Sequence, residues 1–266
     1  MTEAADLGKP PIKHLWRLFV AEFIGTALLV AVGVSIVILD FGQGSPVAAL
    51  LPDPALRRLI TGFMFGVTGA SIAVSPLGKV SGAHINPVVT LAFWIKRKMS
   101  GPHALGYVIS QIAGGIAGAL PLLAWGRMGA GIDFGGTFPG NGFTLFQATL
   151  GEVVTTFGLI AGLFFFLGHR EIRCYTPLLF PFLYAVMVYL EAPLSGTSTN
   201  PARSIGPSFV AGVWSGWWIY WVGPILGTFV ALAAGALSWL GRLEIEVAKI
   251  YHFGHDPHGV FHRSRP

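Results

Sequence analysis

Six apolar segments, at about 15–39, 57–76, 103–126, 144–168, 176–193 and 215–240, take up most of the 266 residues. Each is close to the roughly 20 residues that a helix needs to cross a bilayer core. Charged residues make up 11% of the chain, hydrophobic residues 53%, and the mean hydropathy is +0.66. A soluble chain usually carries about 25% charged residues. So few charges cannot clothe a water-soluble surface, and the surplus apolar surface is expected to face lipid. The sequence therefore reads as an all-α, multi-pass membrane protein.

The first apolar run, from about Leu15 to Leu39, exceeds the roughly 7–15 residues of a signal-peptide core. It also holds Glu22, so it is expected to be a membrane span. The net charge of +5 does not point to nucleic acid, because the basic residues sit in loops between apolar runs. One cysteine, Cys174, excludes an intrachain disulfide and a multi-cysteine metal site.

Those basic residues give an orientation. With the N-terminus inside, the inner side holds Lys9, Lys13, Arg17, Lys79, Lys96, Arg97, Lys98, Arg170, Arg173, Arg242, Lys249, Arg263 and Arg265. The outer side holds Arg57, Arg58 and Arg127. Both termini are expected in the cytoplasm of a cell with this protein in its plasma or inner membrane. Trp16, Trp94 and Trp239 then fall near the inner interface, and Trp125, Trp214 and Trp217 near the outer one.

Two shorter apolar runs remain, Asn86 to Ile95 and Asn200 to Ala211. About ten residues make roughly 15 Å of helix, half of a bilayer core of about 30 Å. Neither run has the charged face of a helix that lies on a membrane surface. Both are read as half-spanning re-entrant helices, whose irregular approach is tolerated only where it lines a cavity.

The chain also repeats itself. AEFIGT in the first span and INPVVT in the first short run are echoed by GEVVTTF in the fourth span and TNPARS in the second. Three spans per half is an odd number, so the second half enters the membrane inverted. One Asn-Pro run then comes from each side, and their N-termini meet near the midplane. Proline suits the first position of a helix, and asparagine suits the cap before it. Two helix N-termini bring two positive dipole ends together. Asn86 and Asn200 can aim amide donors at a water, which accepts from both and is thereby oriented, while cations and protons are repelled.

On AEFIGT, SGAHINP, SQIAGGIAGA, GEVVTTF, NPARSIGPS and YWVGP, the chain resembles the aquaporin / major intrinsic protein family over about residues 15–240. The resemblance implies a channel domain at 15–240, with repeat one at about 15–126 and repeat two at about 144–240. It is flanked by a cytoplasmic segment at 1–14 and a cytoplasmic tail at 241–266. It implies a homotetramer in lipid with one pore per protomer, passing water and small neutral solutes without a cofactor or metal. The half-helix motifs are Asn86, Pro87 and Val88, and Asn200, Pro201 and Ala202. Val88 stands where the family pattern has alanine, which adds bulk at the meeting point.

The resemblance makes Arg203 one wall of an outer selectivity filter, where its charge rejects cations and its donors bind passing oxygens. The first half-helix has Val89 at the equivalent place. Counting from Asn200 adds Val188 and Thr197. The second-span wall is Phe65 by the Phe-Gly pair, or Gly66 by a strict count from Asn86. Val188 stands where water channels often have histidine, which predicts a wider or less polar filter. Against a glycerol facilitator stand Ser204, Ser208 and Tyr220-Trp221, where that branch usually has aspartate, a basic residue and Pro-Leu. The water-channel branch is the reading, with a glycerol or small-solute facilitator as the alternative.

Glu22 and Glu152 lie inside apolar spans, where carboxylates are costly and functional. A proton relay and an acceptor for re-entrant backbone N–H groups compete; the acceptor role is favoured, and the resemblance implies it too. Glutamine at either site is then expected to keep much of the acceptor geometry. Gly62/Gly66, Gly114/Gly118 and Gly223/Gly227 are read as close helix contacts. His84 either lines the inner mouth or is a plain loop histidine. His252, His255, His258 and His262 cluster in the tail, but Gly254, Pro257 and Gly259 argue against a preformed metal site. An ion-coupled transporter shares inverted repeats and is a rival. An enzyme is not supported, because the sequence offers no nucleophile–base pair with a plausible third group and no metal-ligand set.

Overall fold

The structure is a computed structural model that describes residues 15–235, 245–257 and 259–261. Lys9, Lys13, Trp239, Arg242, His258, His262, Arg263 and Arg265 lie outside the described residues, as does the 1–14 segment. The described residues are helical without a β-strand. Six long helices are α1 (Leu15–Phe41), α2 (Pro54–Val74), α4 (Gly101–Ala119), α5 (Leu145–Gly168), α6 (Thr176–Ser195) and α8 (Ile219–Ala234). Among the shorter helices between them are α3 (Pro87–Ile95) and α7 (Pro201–Ala211).

Local chemistry sets the boundaries. Proline opens α2, α3 and α7 at the first turn, where its missing N–H is no loss. Asp53 caps α2 by accepting from the Ala55 N–H at 2.8 Å. Thr144 and Gln147 form a capping box on α5. The third span is not one straight helix. α4 stops at Ala119, and Leu120–Trp125 tighten into a 3₁₀ turn followed by a short helix, Gly126–Ala130. Pro121 explains the change, since it has no N–H and its ring clashes with the carbonyl one turn back. Residues 236–240, where the sequence extends the sixth span, lie outside the described residues.

By length and hydropathy, the stretches Leu15–Phe41, Gly101–Ala130, Leu145–Gly168 and Arg173–Ser195 suffice to cross a membrane. α2 carries Arg57 and Arg58 near its start, and the described part of α8 has 16 residues. Both pack along long neighbours, α2 on α6 and α8 on α5. The polarity is inside-out. α1 exposes Phe23, Ile24, Leu28 and Val32, while burying Glu22 and Thr26. α6 exposes Leu178, Phe182, Val186 and Leu190. An apolar exterior around buried polar groups fits lipid on the outside.

The two halves pack alike: α1 on α4 in one, α5 on α8 in the other, with α2 and α6 crossing between them. Antiparallel alternation puts the start of α1, the end of α2, the end of α5 and the start of α6 on one face, the near face. Glycines let the helices touch. A Cβ on Gly114 or Gly118 would run into the carbonyl oxygens of Phe23 or Ala27, and one on Gly62 or Gly66 into those of Tyr184 or Phe180.

The described part of the tail packs on the helices. Residues 245–257 and 259–261 lie against the near face, burying Ile245, Val247, Ala248, Ile250, Val260 and Phe261. Interleaved charges in EVAKIYH hide this apolar content from a composition reading. Arg173 and Arg170, paired with Glu246, hold its carboxyl below the usual range. Burial pushes the Lys249 ammonium down to about 8; nearby Asp256 pulls it upward and Lys79 adds to the lowering.

Gly66→Leu and Gly118→Leu should each lose stability, by about 1–3 kcal/mol or more, because overpacking forces backbone apart. Gly158→Leu is the control, since a Cβ there meets nothing within 4 Å. Thermal unfolding in detergent checks this; equal midpoints for all three variants would contradict the packing argument.

Candidate functional site

Two loops carry the site, 82–86 before α3 and 196–200 before α7. Their backbones match. Gly82, Ala83 and Ile85 have φ of 87°, 55° and 41°, and Gly196, Thr197 and Thr199 have 87°, 52° and 51°. Left-handed backbone at a residue other than glycine costs on the order of 1–3 kcal/mol. Buried carboxylates offset that cost. Glu22 on α1 accepts from the His84 N–H through Oε1 at 3.0 Å and from the Ile85 N–H through Oε2 at 2.7 Å. Glu152 on α5 accepts from the Ser198 N–H at 2.7 Å and the Thr199 N–H at 2.8 Å, again one oxygen each. Both side chains have no solvent exposure. Tyr107 and Tyr220 complete the parallel, donating to the carbonyls of Ser81 and Ser195, each at 2.7 Å.

The loops meet through the asparagines. Asn86 donates from Nδ2 to the Thr199 carbonyl, and Asn200 donates to the Ile85 carbonyl, both at 2.9 Å. Each also caps its own helix: Asn86 Oδ1 accepts from Val88 N–H at 3.0 Å, and Asn200 Oδ1 from Ala202 N–H at 3.1 Å. An amide NH₂ has two hydrogens. One is spent on the opposite loop, and one is left toward a chamber of about 40 Å³ that both asparagines line. At about 10–15 Å³ for each water centre, that is room for a few waters. Val88, Pro87, Pro201 and Ala202 are buried behind the asparagines.

On the far side lies a vestibule of about 270 Å³, lined among others by Arg203, Thr197, Val188 and Phe65. Arg203 is buried and donates from Nη1 to the Gly135 carbonyl at 2.9 Å. That carbonyl comes from the turn Asp133–Gly135, a loop the sequence did not single out. The guanidinium lies 6.0 Å from the Phe65 ring centroid. Phe65 borders both vestibule and chamber; Gly66 borders only the chamber, with its Cα against Phe180. Thr197 donates its hydroxyl to Glu191 Oε2 at 2.5 Å. Its single hydrogen is thus spent, and only lone pairs remain for a solute.

Two residues here escaped the sequence reading. Glu191 also accepts from Ser195 Oγ at 2.6 Å, and Ser195 lies equally close to Glu152 Oε1. The rule that singled out Glu22, a carboxylate inside an apolar span, would have found it. Tyr184 borders both cavities and gave no signal, being one aromatic in an apolar run. His84 is buried, stacked on Phe93 at 4.6 Å, with Nδ1 3.2 Å from Thr90 Oγ1 and Nε2 3.0 Å from the Ala248 carbonyl. Cys174 is exposed on the turn before α6, at the near face.

Each carboxylate uses both oxygens as acceptors, which refines the effect of glutamine. Its NH₂ would confront one loop N–H. Glu22→Gln and Glu152→Gln should therefore be intermediate, and the alanine variants worst, at about 1–3 kcal/mol for each N–H left unpaired. Thermal midpoints of the four variants test the order; glutamine as damaging as alanine would speak against the acceptor role.

Set beside known proteins, the chain matches the family model described as major intrinsic protein over residues 11–234. It is 33% identical over 230 residues to Aquaporin-4 of Mus musculus, covering 84% of this chain and 66% of that protein. It is 32% identical over 256 residues to the probable aquaporin PIP2-7 of Oryza sativa subsp. japonica, covering 91% and 84%. Among solved structures, the aquaglyceroporin from Plasmodium falciparum aligns with a TM-score of 0.62 at 18% identity, covering 82% of this chain and 94% of that one. At that identity the likeness is one of fold.

Proposed function

This chain belongs to the major intrinsic protein family, and from that premise we propose that it is a passive transmembrane channel for water and small neutral solutes. One observation carries the reading: two helix N-termini meet at mid-depth with their capping asparagines bonded reciprocally across the join. Each terminus contributes roughly half a positive charge. A water in the chamber accepts from the free asparagine hydrogens, so its own hydrogens point away toward both mouths. A cation meets two positive dipole ends and donors instead of acceptors. The remaining Arg203 donors face the vestibule, where they bind solute oxygens and repel cations before the chamber is reached.

Arg203, Thr197, Val188 and Phe65 form the outer filter in this reading, and Glu22 and Glu152 hold the loops in place. The unit is the 15–240 domain in a homotetramer embedded in lipid, with the near face and both termini cytoplasmic. The protein is a channel rather than an enzyme, and its relatives' names, aquaporins, support that. The apolar Val188 and the roomy vestibule favour a second reading, passage of solutes such as glycerol. Ser204, Ser208 and Tyr220-Trp221 weigh against it.

Proteoliposomes in a stopped-flow instrument should shrink fast under an impermeant osmolyte, and the water flux should not saturate or respond to an ion gradient. Saturation with ion coupling would favour a transporter. A mercurial applied to the vestibule side should have little effect, because Cys174 lies on the opposite face; Thr197→Cys should make the flux mercurial-sensitive. Inhibition of the unmodified protein, abolished by Cys174→Ser, would contradict this placement.

A further inference from the structure

We propose that Tyr184, together with Phe65, sets the size limit of the passage, one helical turn deeper than Val188. The proposal rests on the channel reading. Phe65 and Tyr184 are the two residues shared by the walls of the vestibule and the chamber. A solute moving from one space to the other passes both rings. Their centroids are 5.6 Å apart and the planes tilt by 40°. Val188 borders the vestibule alone.

Both rings are held in place. Phe65 fills a notch left by Gly33, where a Cβ would lie 2.6 Å from the ring. The Tyr184 backbone is pressed against Gly62. Thr199 Oγ1 donates to the Ser198 carbonyl, so it accepts from the Tyr184 hydroxyl at 2.8 Å. The same Thr199 is held through its N–H by Glu152. The Tyr184 ring therefore cannot swing aside without breaking a bond to the loop that carries Asn200. The two rings lie against each other and form one fixed aromatic wall that, with Arg203 beside Phe65, leaves a passage for water and obstructs a solute with a carbon chain. The small Val188 side chain leaves the vestibule open, but the limit lies below it.

The test is water and glycerol flux measured in the same vesicles for the wild type and for Tyr184→Ala, Tyr184→Phe and Val188→Ala. Tyr184→Ala should raise the glycerol-to-water ratio severalfold, and Val188→Ala, which widens only the vestibule, should raise it by clearly less. Tyr184→Phe keeps the ring and should keep the ratio, with a lower thermal midpoint. If Tyr184→Ala does not fold, Tyr184→Leu serves, with a smaller rise expected. An unchanged ratio in a folded, water-conducting small variant would overturn the proposal, as would an equal rise from Val188→Ala. A wild type that passes no water would instead overturn the channel reading, and this proposal with it.

An independent set of contacts supports a second proposal. We infer that residues 245–257 and 259–261 form a strap that narrows the near-face mouth. Ile250 lines the asparagine chamber although it lies far along the chain from the helices and loops that form the rest of it. Backbone groups tie the strap down: Ile250 N–H donates to Gly82 O at 3.1 Å, and Lys249 Nζ to Lys79 O. His252 Nε2 lies 2.9 Å from the Val74 carbonyl. A relay reaches it from the core. Gln111 donates to Thr90 Oγ1 at 3.0 Å, Thr90 donates to His84 Nδ1, and His84 Nε2–H donates to Ala248 O. The Lys249 ammonium sits 4.4 Å over the Phe261 ring, with no solvent exposure. These ties converge on residues 74–84, the segment that leads to Asn86.

Removing residues 245–266, and separately Ile250→Ala, should each raise water flux per folded protein severalfold, with the glycerol-to-water ratio set by the neck unchanged. The alanine variant keeps every backbone tie, so it reads the obstruction without undoing the dock. Flux equal to or below that of the wild type in folded Ile250→Ala protein would overturn the strap as a constriction, whatever the truncated chain does.

Discussion

Everything at mid-depth depends on two carboxylates accepting backbone N–H groups that lipid could never satisfy. Loops 82–86 and 196–200 enter the membrane with left-handed backbone at Ala83, Ile85, Thr197 and Thr199. Without acceptors their amides would be orphaned in a water-poor interior, where an unpaired polar group is costly. Glu22 and Glu152 stand behind the loops, one oxygen to each of two consecutive N–H groups. That fixes where Asn86 and Asn200 can be, and hence where the two helix dipoles meet. The asparagines then lock the halves together by donating across the join. Arg203, one turn further along α7, is carried into the vestibule by the same anchoring.

The inverted repeat follows from this economy. A single re-entrant helix covers half the membrane, so a second copy from the other side completes the path, and each copy needs its own carboxylate. The symmetry is imperfect where the halves differ in task. Glu22 shares an oxygen with Gln111, while Glu152 shares one with Ser195 and, through it, adjoins Glu191. The arginine appears in one copy only. The near-face copy instead has the described tail residues docked beside it, through Ile250 N–H to the Gly82 carbonyl.

Much of this was legible in the sequence. Apolar runs of the right length gave the spans, and Glu22, Glu152 and the Asn-Pro pairs stood out because polar residues inside such runs are expensive. What was not legible has a common cause. In a membrane helix both the lipid face and the core face are apolar, so hydrophobic periodicity does not tell which side of α6 looks inward. Tyr184 was therefore indistinguishable from Phe182, which faces outward. Pro121 broke the third span because its local chemistry outweighs hydropathy. The strap was hidden because Val247, Ala248 and Ile250 alternate with charges, and only the docked structure reveals that Lys249 is buried as well.

In the proposed channel the paired asparagines and helix ends orient water while turning away positive charge. Osmotic water flux and voltage-driven proton flux, recorded in the same proteoliposomes, decide whether they do. The prediction is rapid water flux with no proton flux above that of protein-free vesicles. A proton flux that grows in step with the water flux as more protein is added would contradict it.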